Sequence, residues 1–578
     1  MSGPTVPACQ QLHADKYRMK GESFYEAMRR VAAATADGEE HYQAMKKILL
    51  DMRFMPGGRI QSTVGSARKS TPFNCFVSGD IKDSMVDIMD KAKEAALTMQ
   101  KGGGIGYDFS LLRPNGAPIV SIDSSASGPI SFMEVFDAVC RTIMAAGHRR
   151  GAMMGVLRVD HPDIEEFIRV KQNNNTLTNF NISIGITDKF MVALKNELPF
   201  NLEFEGKVYK TVEAKALWDS IMRGTWDWAE PGVLFIDTIN KMNNLYYCET
   251  IEATNPCGEQ PLPPYGACLL GSFNLARYVK MMDVTEDSFG NIAEFDFEQF
   301  KKDIPPVIRA VDNVIDIADF PLEQQATEAA DKRRMGIGIT GLADVLAVLG
   351  YKYGEHDAVV FTKKVLRTLR DTAYKASVAL AKEKGPFPLF NSEAYCNGEF
   401  IQTLPKTTQE EIKEHGIRNS HLLSIAPTGT ISFCADNVSS GIEPIFATKV
   451  ERAVQTAEGP KIVELADYAY SNWGVKGETT DAIDVSNHLN MLLSCVPYID
   501  SAISKTVNVG GDVTFDQFKD IYVRAYDGGA KGCTTFRLEG KRFGMMKGIE
   551  DGDDSSTEEE SSGACYIDPS TGAKSCDL

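Results

Sequence analysis

Helical segments alternate with short apolar strands along most of the chain, and this alternation limits the fold more than any other feature. From about residue 61 to residue 545, segments with helical periodicity such as SMVDIMDKAKEAALTM are followed by short apolar runs such as FNISIGI, VLFID and HLLSIAP. This order of elements predicts an α/β fold. No internal repeat and no linker interrupts it. At 578 residues, the chain has room for roughly four domains or for one large barrel.

The two ends of the chain differ from the central part. Residues 16–50 predict helices, because apolar residues such as Phe24, Met28 and Val31 recur at helical spacing. Residues 550–560, EDGDDSSTEEE, carry seven acids and no base, which is typical of a flexible linker. We therefore divide the chain into an N-terminal helical segment (1–60), an α/β domain (61–545) and an acidic flexible tail (546–578).

Charge and cysteine content exclude several classes of function. The formal net charge of -18 disfavours binding to nucleic acid, whose phosphate backbone is also negative. No apolar run is long enough for a membrane span, and the N-terminus lacks the apolar core of a secretory signal. Twelve cysteines without a C-x-x-C motif predict reduced thiols in a cytoplasmic protein and no structural metal site.

The segment ETIEATNPCGEQPLPPYGACLLGSFNL is the most informative for chemistry. Asn255, Cys257 and Glu259 alternate, so in an extended loop their side chains would point the same way. Pro256 and Gly258 between them suit a tight turn. A thiol between an amide and a carboxylate could perform acid/base work beside a sulfur-centred step. On spacing alone, cysteines that only fill the core beside a Pro-rich turn remain an alternative.

Two other segments are rich in glycine. SIAPTGTISF predicts a phosphate-binding turn, because Thr428 and Thr430 offer hydroxyls and Gly429 allows backbone amides to converge on an anion. RRMGIGITGLADVL contains the G-x-G-x-x-G pattern of dinucleotide sites, but AADKRR before it does not predict the required strand. We therefore interpret these glycines as positions of close helix packing.

Taken together, several motifs resemble the catalytic subunit of ribonucleotide reductases. NPCGEQPL followed by YGACLLGSFNL is similar to the active-site loop of that family, and further matches follow the family's order over roughly residues 16–545. These matches are PFNCFV, KGGGIGYDFSLLRPNG, RRGAMMGVLRVDHPDIEEF, RRMGIGITGLADVL and SIAPTGTISF. The resemblance implies a ten-stranded α/β barrel of two five-stranded halves, with the Cys257 loop as a central finger. The family's N-terminal ATP-binding cap has no counterpart here, so control through that cap is not expected.

The resemblance also implies roles for individual residues. Cys257 would form the thiyl radical that takes the ribose 3′ hydrogen, Glu259 would accept the proton of the 3′ hydroxyl, and Asn255 would hold the hydroxyls. Cys75 and Cys268 would reduce the 2′ position and close as a disulfide, which the tail cysteines Cys565 and Cys576 would reopen. The remaining implied contacts are to substrate (Asn74, Gly104, Pro427, Thr428, Gly429 and Thr430) and to a nucleotide that selects the base (Asp83, Ser84 and Arg113). AGHRRGAMMG and KQNNNTLTNF resemble the loops that relay that selection.

The source of the radical divides the family. A branch with a ferritin-like metal subunit passes the radical through two consecutive tyrosines, but GAKGCTTFRLEGKR has Thr534, Thr535 and Phe536 at the matching place. The glycyl-radical motif of another branch is absent. TTFR and NPCGEQPL both resemble the adenosylcobalamin-dependent branch, which we prefer. Tyr522 and Tyr526, spaced by one helical turn, keep the metal-subunit alternative open.

The expected partners follow from this interpretation. They are a ribonucleoside di- or triphosphate, a nucleotide effector, thioredoxin or glutaredoxin as reductant, and a second copy of the chain in a homodimer. Two other classes of protein stay open. A thiol–disulfide oxidoreductase would use the cysteines but normally has a C-x-x-C motif. A noncatalytic nucleotide-binding regulator would use the glycine-rich turns but would not need Cys257 or Glu259.

Overall fold

The computed structural model describes residues 3–145, 149–150, 152–172, 176–282, 293–456, 459–537, 565–567 and 574–576. The helices are α1 (Pro7–Tyr17), α2 (Phe24–Thr35), α3 (Glu39–Leu50), α4 (Gly58–Thr63), α5 (Met85–Gln100), α6 (Pro129–Thr142), α7 (Ile164–Arg169), α8 (Asp188–Lys195), α9 (Ala214–Trp228), α10 (Ile236–Lys241), α11 (Phe297–Asp316), α12 (Glu323–Lys332), α13 (Leu342–Val348), α14 (His356–Lys384), α15 (Ser392–Cys396), α16 (Glu399–Gln402), α17 (Lys406–His415), α18 (Gly429–Cys434), α19 (Tyr468–Trp473), α20 (Val485–Cys495) and α21 (Phe515–Asp527).

The strands alternate with these helices along the chain. They are β1 (Phe54–Pro56), β2 (Cys75–Val77), β3 (Gly104–Asp108), β4 (Pro118–Ile119), β5 (Ser124–Ser125), β6 (Met144–Ala145), β7 (Arg149–Arg150), β8 (Met153–Arg158), β9 (Phe180–Ile186), β10 (Pro199–Phe204), β11 (Lys207–Glu213), β12 (Gly232–Phe235), β13 (Ala253–Thr254), β14 (Pro261–Leu262), β15 (Ala267–Asn274), β16 (Val279–Met281), β17 (Ala293–Phe295), β18 (Met335–Thr340), β19 (Lys449–Thr456), β20 (Gly459–Ala466), β21 (Thr506–Asn508), β22 (Gly532–Phe536), β23 (Cys565–Ile567) and β24 (Lys574–Cys576). The predicted α/β class is confirmed.

The N-terminal helices form where the sequence predicts them. In α2, Phe24, Met28 and Val31 are buried on one face, and Ser23 and Glu26 form a reciprocal capping box that satisfies the first backbone amides. Helices α2 and α3 pack against each other and against α11 of the following domain. The N-terminal segment therefore shares its core with the rest of the chain.

The main sheet has ten strands, and five of them form a parallel set. Strands β2, β3, β8, β9 and β12 lie side by side in that order, each parallel to the next. Their residues are nearly all buried, including those of β9, FNISIGI. Such continuous apolar runs are typical of parallel strands covered on both faces.

A second parallel set continues the pairing. Strand β15 is parallel to β18, and β21 is parallel to β22. Between them, the segment HLLSIAP forms two single parallel bridges, from Leu423 to Ile337 and from Ile425 to Ile503, instead of the predicted strand. The two sets meet where β15 pairs antiparallel with β2 and where β12 pairs antiparallel with β22. The two sets therefore adjoin at both of their outer strands, and at each junction the neighbouring strands run in opposite directions.

Within the described residues, no helix is both long and apolar enough to cross a membrane.

Candidate active site

The NPCGEQP segment forms a tight turn at the end of a short hairpin made by β13 and β14. The Gly258 amide donates to the Asn255 carbonyl at 3.1 Å, with Pro256 second in the turn, where its fixed φ is favoured. Gly258 has φ +83°, a conformation that other residues rarely adopt. The Asn255 side chain accepts from the Gln260 amide at 2.9 Å and closes the loop. The predicted tight turn is present, and the extended arrangement that we expected from the alternating residues was wrong.

The loop contacts both parallel sets. From the first set, Asn181 of β9 donates to the Pro256 carbonyl at 3.1 Å. From the second set's side, the Glu259 carbonyl accepts from the Ala502 amide at 3.0 Å and from the Ser424 hydroxyl at 3.1 Å. Gly106 of β3 lies so close to the hairpin that a β-carbon there would be 1.9 Å from the Thr254 carbonyl oxygen. Backbone contacts thus fix the loop between the two sets.

The loop side chains converge on Cys75. The Asn255 amide nitrogen is 3.1 Å from the Cys75 sulfur, and the nearer Glu259 carboxylate oxygen is 3.7 Å from it. Cys75 lies directly opposite Cys268 in the antiparallel pairing of β2 with β15. Cys257 is 4% exposed, and the other four side chains are fully buried. The structure therefore brings together all five residues predicted for the reaction itself.

Burial controls the protonation of the paired cysteines. The pKa of Cys75 is raised well above its ordinary value, first by burial and then by the negative charges of Glu259, Cys257 and Cys268. The pKa of Cys268 is also raised well above its ordinary value by burial, and the positive charge of Arg334 opposes that rise. Both groups are therefore neutral thiols near pH 7.

The predicted substrate residues lie at one edge of the sheet. Asn74 directly precedes β2, and Gly104 is the first residue of β3. The backbone amide of Gly104 donates to the carbonyl of Asn74. The PTGT turn follows the 423–425 segment, which runs parallel to β15 and β18 and therefore ends at this same edge. Thr428 has φ +55° and precedes α18, so the first amides of the helix point outward from the turn. Its hydroxyl accepts from the Gly441 amide at 2.8 Å.

Pro427, Gly429 and Thr430 complete this turn, and all three are only partly buried. They remain accessible at the edge of the sheet, unlike the cysteines inside it.

The three residues predicted to bind an effector also lie together. Asp83 accepts from the Arg113 side chain at 2.5 Å and from its backbone amide at 3.3 Å. Ser84 caps α5 by accepting from the Asp87 amide. Beside them, Met85 and Val86 are 59% and 74% exposed. Parts of the two loops predicted to relay base selection, residues 146–148, 151 and 173–175, lie outside the described residues.

The glycines of RRMGIGITGLADVL do not pack helices, and that prediction was wrong. Gly336 and Gly338 belong to β18, where a β-carbon would lie 2.3 Å from the side-chain Nε2 of Gln260 and 2.3 Å from the backbone carbonyl oxygen of Ser424, respectively. Only Gly341, with φ +77°, serves a helix, as the residue before α13. The glycines let the active-site loop and the 423–425 segment approach β18 closely.

A cluster of buried charges beside Cys268 was not predicted. Arg334 precedes β18 and donates to Glu249 at 2.5 Å and to Glu328 at 2.9 Å. Lys332 forms ion pairs with the same two carboxylates. The consecutive arginines directly before the apolar MGIGIT segment are the signal that could have indicated it, because a buried arginine needs carboxylate partners.

Tyrosines do not replace the missing phenol pair of β22. Thr534 and Thr535 occupy that strand, and Tyr522 of α21 bonds through its hydroxyl to Thr535 at 2.9 Å. The Tyr526 hydroxyl donates to the Asp188 carboxylate at 2.8 Å. The two tyrosines of α21 therefore bond to different parts of the structure. The adjacent pair Tyr246 and Tyr247 donates to backbone carbonyls of the 389–394 region.

A cavity of about 650 Å³ lies on the other side of the active-site hairpin. Val77, Asp108 and Arg158 line it at the carboxyl ends of β2, β3 and β8, and Ala253 and Leu262 of the hairpin close its floor. Burial raises the pKa of Asp108 to about 6 and that of Glu252, with Asp108 adding repulsion, to about 7. Asn74, Gly104 and the PTGT turn belong to the opposite edge of the sheet.

The tail cysteines lie opposite each other in a hairpin. Strands β23 and β24 pair antiparallel, and the register aligns Cys565 with Cys576. Strand β24 contacts α18, the helix that follows the PTGT turn. The ten-residue separation in sequence is therefore compatible with close approach of the two backbones.

Comparisons with known proteins agree with this geometry. The family model described as "Ribonucleotide reductase, barrel domain" matches residues 73–480 and 476–536. A vitamin B12-dependent ribonucleoside-diphosphate reductase of Thermoplasma acidophilum is 35% identical over 88% of this chain and 66% of its own length. One of Mycobacterium tuberculosis is 32% identical over 94% of this chain and 80% of its own length. A vitamin B12-dependent ribonucleotide reductase of Streptomyces clavuligerus is 27% identical, and the chain spans 62% of that protein.

Proposed function

The chain belongs to the ribonucleotide reductase family, and we propose that it reduces ribonucleotides to 2′-deoxyribonucleotides by thiyl-radical chemistry that depends on adenosylcobalamin. The observation that carries the proposal is the convergence of Asn255 and Glu259 of the Cys257 loop on a cysteine paired across two strands. The B12-dependent reductases among its relatives support the same conclusion.

The loop residues divide the first half of the reaction. The Cys257 sulfur, once it holds an unpaired electron, takes the hydrogen atom from the ribose 3′ carbon. Glu259 accepts the proton of the 3′ hydroxyl, and Asn255 holds the hydroxyls by hydrogen bonds. The burial of all three excludes water from a reactive carbon radical.

Cys75 and Cys268 supply the two electrons of the second half. The 2′ hydroxyl leaves as water after accepting a proton from one thiol, and the pair closes as a disulfide while the sugar gains two electrons. Residues directly opposite on antiparallel strands have Cα atoms about 4.5–5.5 Å apart, which a disulfide can span. Cys257 then returns the hydrogen atom to the 3′ carbon and is again a thiyl radical, so only the disulfide has to be reduced between turnovers.

The tail hairpin is the proposed route for that reduction. Cys565 and Cys576 would exchange with the Cys75–Cys268 disulfide and pass their own oxidation to thioredoxin or glutaredoxin. The aligned register of β23 with β24 and the contact of β24 with α18 support this role.

The PTGT turn is the proposed site for the substrate phosphates. Outward-pointing amides before α18, together with Pro427, Thr428, Gly429 and Thr430, form a local anion site in an acidic protein. Asn74 and Gly104 lie at the same edge and would contact the sugar. Because two relatives are named ribonucleoside-diphosphate reductases, we prefer a diphosphate substrate.

Asp83, Ser84 and Arg113 form the proposed effector site. Arg113 can bind a nucleotide phosphate in exchange for its pair with Asp83. The exposed Met85 and Val86 on the adjoining helix α5 support a homodimer that covers this face. A cytoplasmic location stays a prediction from the sequence.

The residues of β22 fit adenosylcobalamin better than a metal subunit. A radical that arrives from another subunit needs oxidisable side chains, whereas Thr534 and Thr535 cannot be oxidised at accessible potentials. Thr534, partly buried beside the barrel interior, and the Cys257 loop would hold the cofactor. When bound, adenosylcobalamin supplies the one-electron chemistry that removes the hydrogen atom from the Cys257 thiol. The alternative with a ferritin-like subunit is not favoured by the relatives' names.

We also infer that the main sheet closes into a ten-stranded barrel. The bridges Ile337–Leu423 and Ile425–Ile503 lead from β18 towards β21, and Ile503 lies three residues before that strand. With the antiparallel junctions β2–β15 and β12–β22, this pairing supports two five-stranded halves around a central finger loop. The division at residues 1–60, 61–545 and 546–578 stays a prediction from the sequence.

The decisive experiment supplies the purified protein with a ribonucleoside diphosphate, a dithiol and adenosylcobalamin, with and without a ferritin-like metal subunit. Deoxynucleotide formed with cobalamin alone supports the proposal. Product that appears only with the metal subunit would replace the cofactor assignment. No product under either condition, from a protein that binds both nucleotide and cobalamin, would reject the reaction itself.

A further inference from the structure

The two cysteines that face each other across β2 and β15 have different neighbours. The Cys75 sulfur lies 3.7 Å from a Glu259 carboxylate oxygen. The side-chain amide of Asn255 donates to the same sulfur at 3.1 Å. Cys268 lies beside Arg334, because the parallel register that pairs Leu269 with Met335 aligns the residues just before them. One sulfur therefore lies next to an anion and a neutral donor, and the other lies on a strand residue aligned with a cationic residue whose charge acts on it.

Arg334 is held rigidly in this position. Its side chain is 1% exposed, and it donates to Glu249 at 2.5 Å, to Glu328 at 2.9 Å and to the His421 ring at 3.3 Å. Burial, and then the adjacent charge of Arg334, keep the pKa of His421 well below its ordinary value, so the ring is neutral and accepts this bond. Two carboxylates thus fix the Arg334 guanidinium. The partner of its Nε is the neutral His421 ring and not a third carboxylate.

Other charges near Cys268 act in the opposite sense but are engaged elsewhere. Glu328 is bonded to Arg334 itself, and Asp500 accepts from the Leu422 and Leu423 amides and from Tyr374. Glu259 acts on both sulfurs, and the Cys75 sulfur is within 3.7 Å of it. Arg334 is the strongest charged influence on Cys268 after burial. For Cys75, the corresponding influence is the Glu259 carboxylate.

We propose that Arg334 is a positioning residue for the re-reduction step and directs an incoming thiolate to the sulfur of Cys75, so that Cys268 departs as the thiolate. The inference rests on the proposed function, which supplies the disulfide. The incoming sulfur forms a bond to Cys75 as the Cys75–Cys268 bond breaks, and the electron pair goes to Cys268 beside the guanidinium. A second thiolate of the same dithiol then attacks the mixed disulfide, and Cys75 leaves and is protonated.

The expected preference follows from leaving-group chemistry. In thiol–disulfide exchange, the sulfur with the more stable thiolate leaves faster. The cation near Cys268 and the anion beside Cys75 both favour Cys268 as the leaving sulfur, and we expect about a tenfold preference.

The test traps the first exchange product. The full chain with tail substitutions C565S and C576S is oxidised with diamide, mixed with 2-mercaptoethanol, quenched with acid and alkylated. Peptide mass spectrometry then measures which cysteine carries the mercaptoethanol. We expect about tenfold more adduct on Cys75 than on Cys268. Equal labelling, or more adduct on Cys268, would overturn the inference even if no Arg334 variant folds.

Variants separate the charge from a structural role. Arg334→Lys keeps a cation and should keep the preference for Cys75, whereas Arg334→Gln should reduce it to about twofold or less and shift the pH profile of exchange upward. Arg333→Gln is the matched control, because Arg333 is also buried and bonded to carboxylates, Asp312 and Asp316. A loss of preference in R333Q equal to that in R334Q would identify a general packing effect and reject the inference.

The outcomes also distinguish the inference from the proposed function. If oxidation yields no Cys75–Cys268 disulfide, the reductase proposal loses its electron store. If the disulfide forms and opens without preference, only the role of Arg334 fails.

Discussion

Two cysteine pairs lie directly opposite each other on antiparallel strands, one inside the main sheet and one in the C-terminal hairpin. Cys75 and Cys268 belong to β2 and β15, are fully buried and have charged neighbours fixed by hydrogen bonds. Cys565 and Cys576 belong to β23 and β24, which pair only with each other. The same strand register thus aligns two cysteines in both places, and the first pair also contacts residues of the Cys257 loop. The difference predicts separate duties, which substitutions can test.

The largest effect should come from the sulfur that neither pair can replace. Cys257→Ser should reduce deoxynucleotide formation by on the order of a thousandfold or more, because a hydroxyl does not give up its hydrogen atom to a radical as a thiol does. Product formation with adenosylcobalamin and a dithiol is the measurement. Cys396→Ser, at the partly buried end of α15, should keep wild-type activity as the control. Wild-type activity in C257S would contradict the assignment.

The next effect distinguishes the two pairs by how much product each set of variants makes in a single turnover. Pre-reduced enzyme with the tail substitutions C565S and C576S should still make about one product per active site, because the buried pair already holds two electrons. C75S or C268S should make essentially none under the same conditions. Rapid-quench measurement of product without added reductant checks this. Equal single-turnover yields from both sets of variants would show that the pairs do not have separate duties.

A smaller effect should follow from a change of register in the hairpin. Deleting Ser575 moves the second cysteine by one position, to the other face of its strand. Turnover with thioredoxin should fall roughly tenfold, while turnover with a small dithiol that reaches the buried pair directly should stay unchanged. Ser575→Ala keeps the register and is the control. An unchanged rate with thioredoxin after the deletion would mean that the hairpin pairing has no role in exchange.

The smallest effect is a pH dependence of stability to which the buried pair, and not the tail pair, should contribute. Burial raises the pKa of Cys75 and Cys268 in the folded protein, whereas unfolded thiols ionise near pH 8.5. The stabilising contribution is therefore complete below about pH 8.5 and is lost as pH rises towards the folded-state values, by about 1.4 kcal/mol per pH unit for each thiol.

Denaturant unfolding between pH 7.5 and pH 9.5 measures this slope. The free energy of unfolding should fall less steeply with pH in C75A/C268A than in the wild type. C565A/C576A should keep the wild-type slope. A slope that depends on the tail cysteines instead would reverse the distinction between the two pairs.

Local patterns in the sequence predicted much of the secondary structure. The helical period of residues 24–35 and the apolar runs FNISIGI and VLFID each correspond to an observed element. MGIGIT was missed as a strand because glycine carries no side chain that could show the pattern. In the structure, Gly336 and Gly338 of that strand accommodate Gln260 and Ser424, which are distant in sequence. Such close approaches depend on tertiary contacts that a local pattern does not contain.

The candidate site was predictable to the extent that its residues share motifs. Asn255, Cys257 and Glu259 lie within five residues of one another, and the family resemblance connected them with Cys75 and Cys268. Arg334 was not predicted, because its partners Glu249 and Glu328 come from separate segments and only the fold shows that Cys268 is its neighbour. The alternation rule also failed at Asn255–Glu259, where a turn replaces the extended chain.

Gly106 has a consequence for how the protein can change. The hairpin that carries Cys257 rests on the bare α-carbon of this strand residue, with the Thr254 carbonyl 1.9 Å from where any methyl group would stand. Backbone against backbone leaves no rotamer that could adjust, so the depth of the reactive sulfur is set by the curvature of β3 and not by a side chain. A larger residue at position 106 would therefore have to displace the hairpin that carries Cys257.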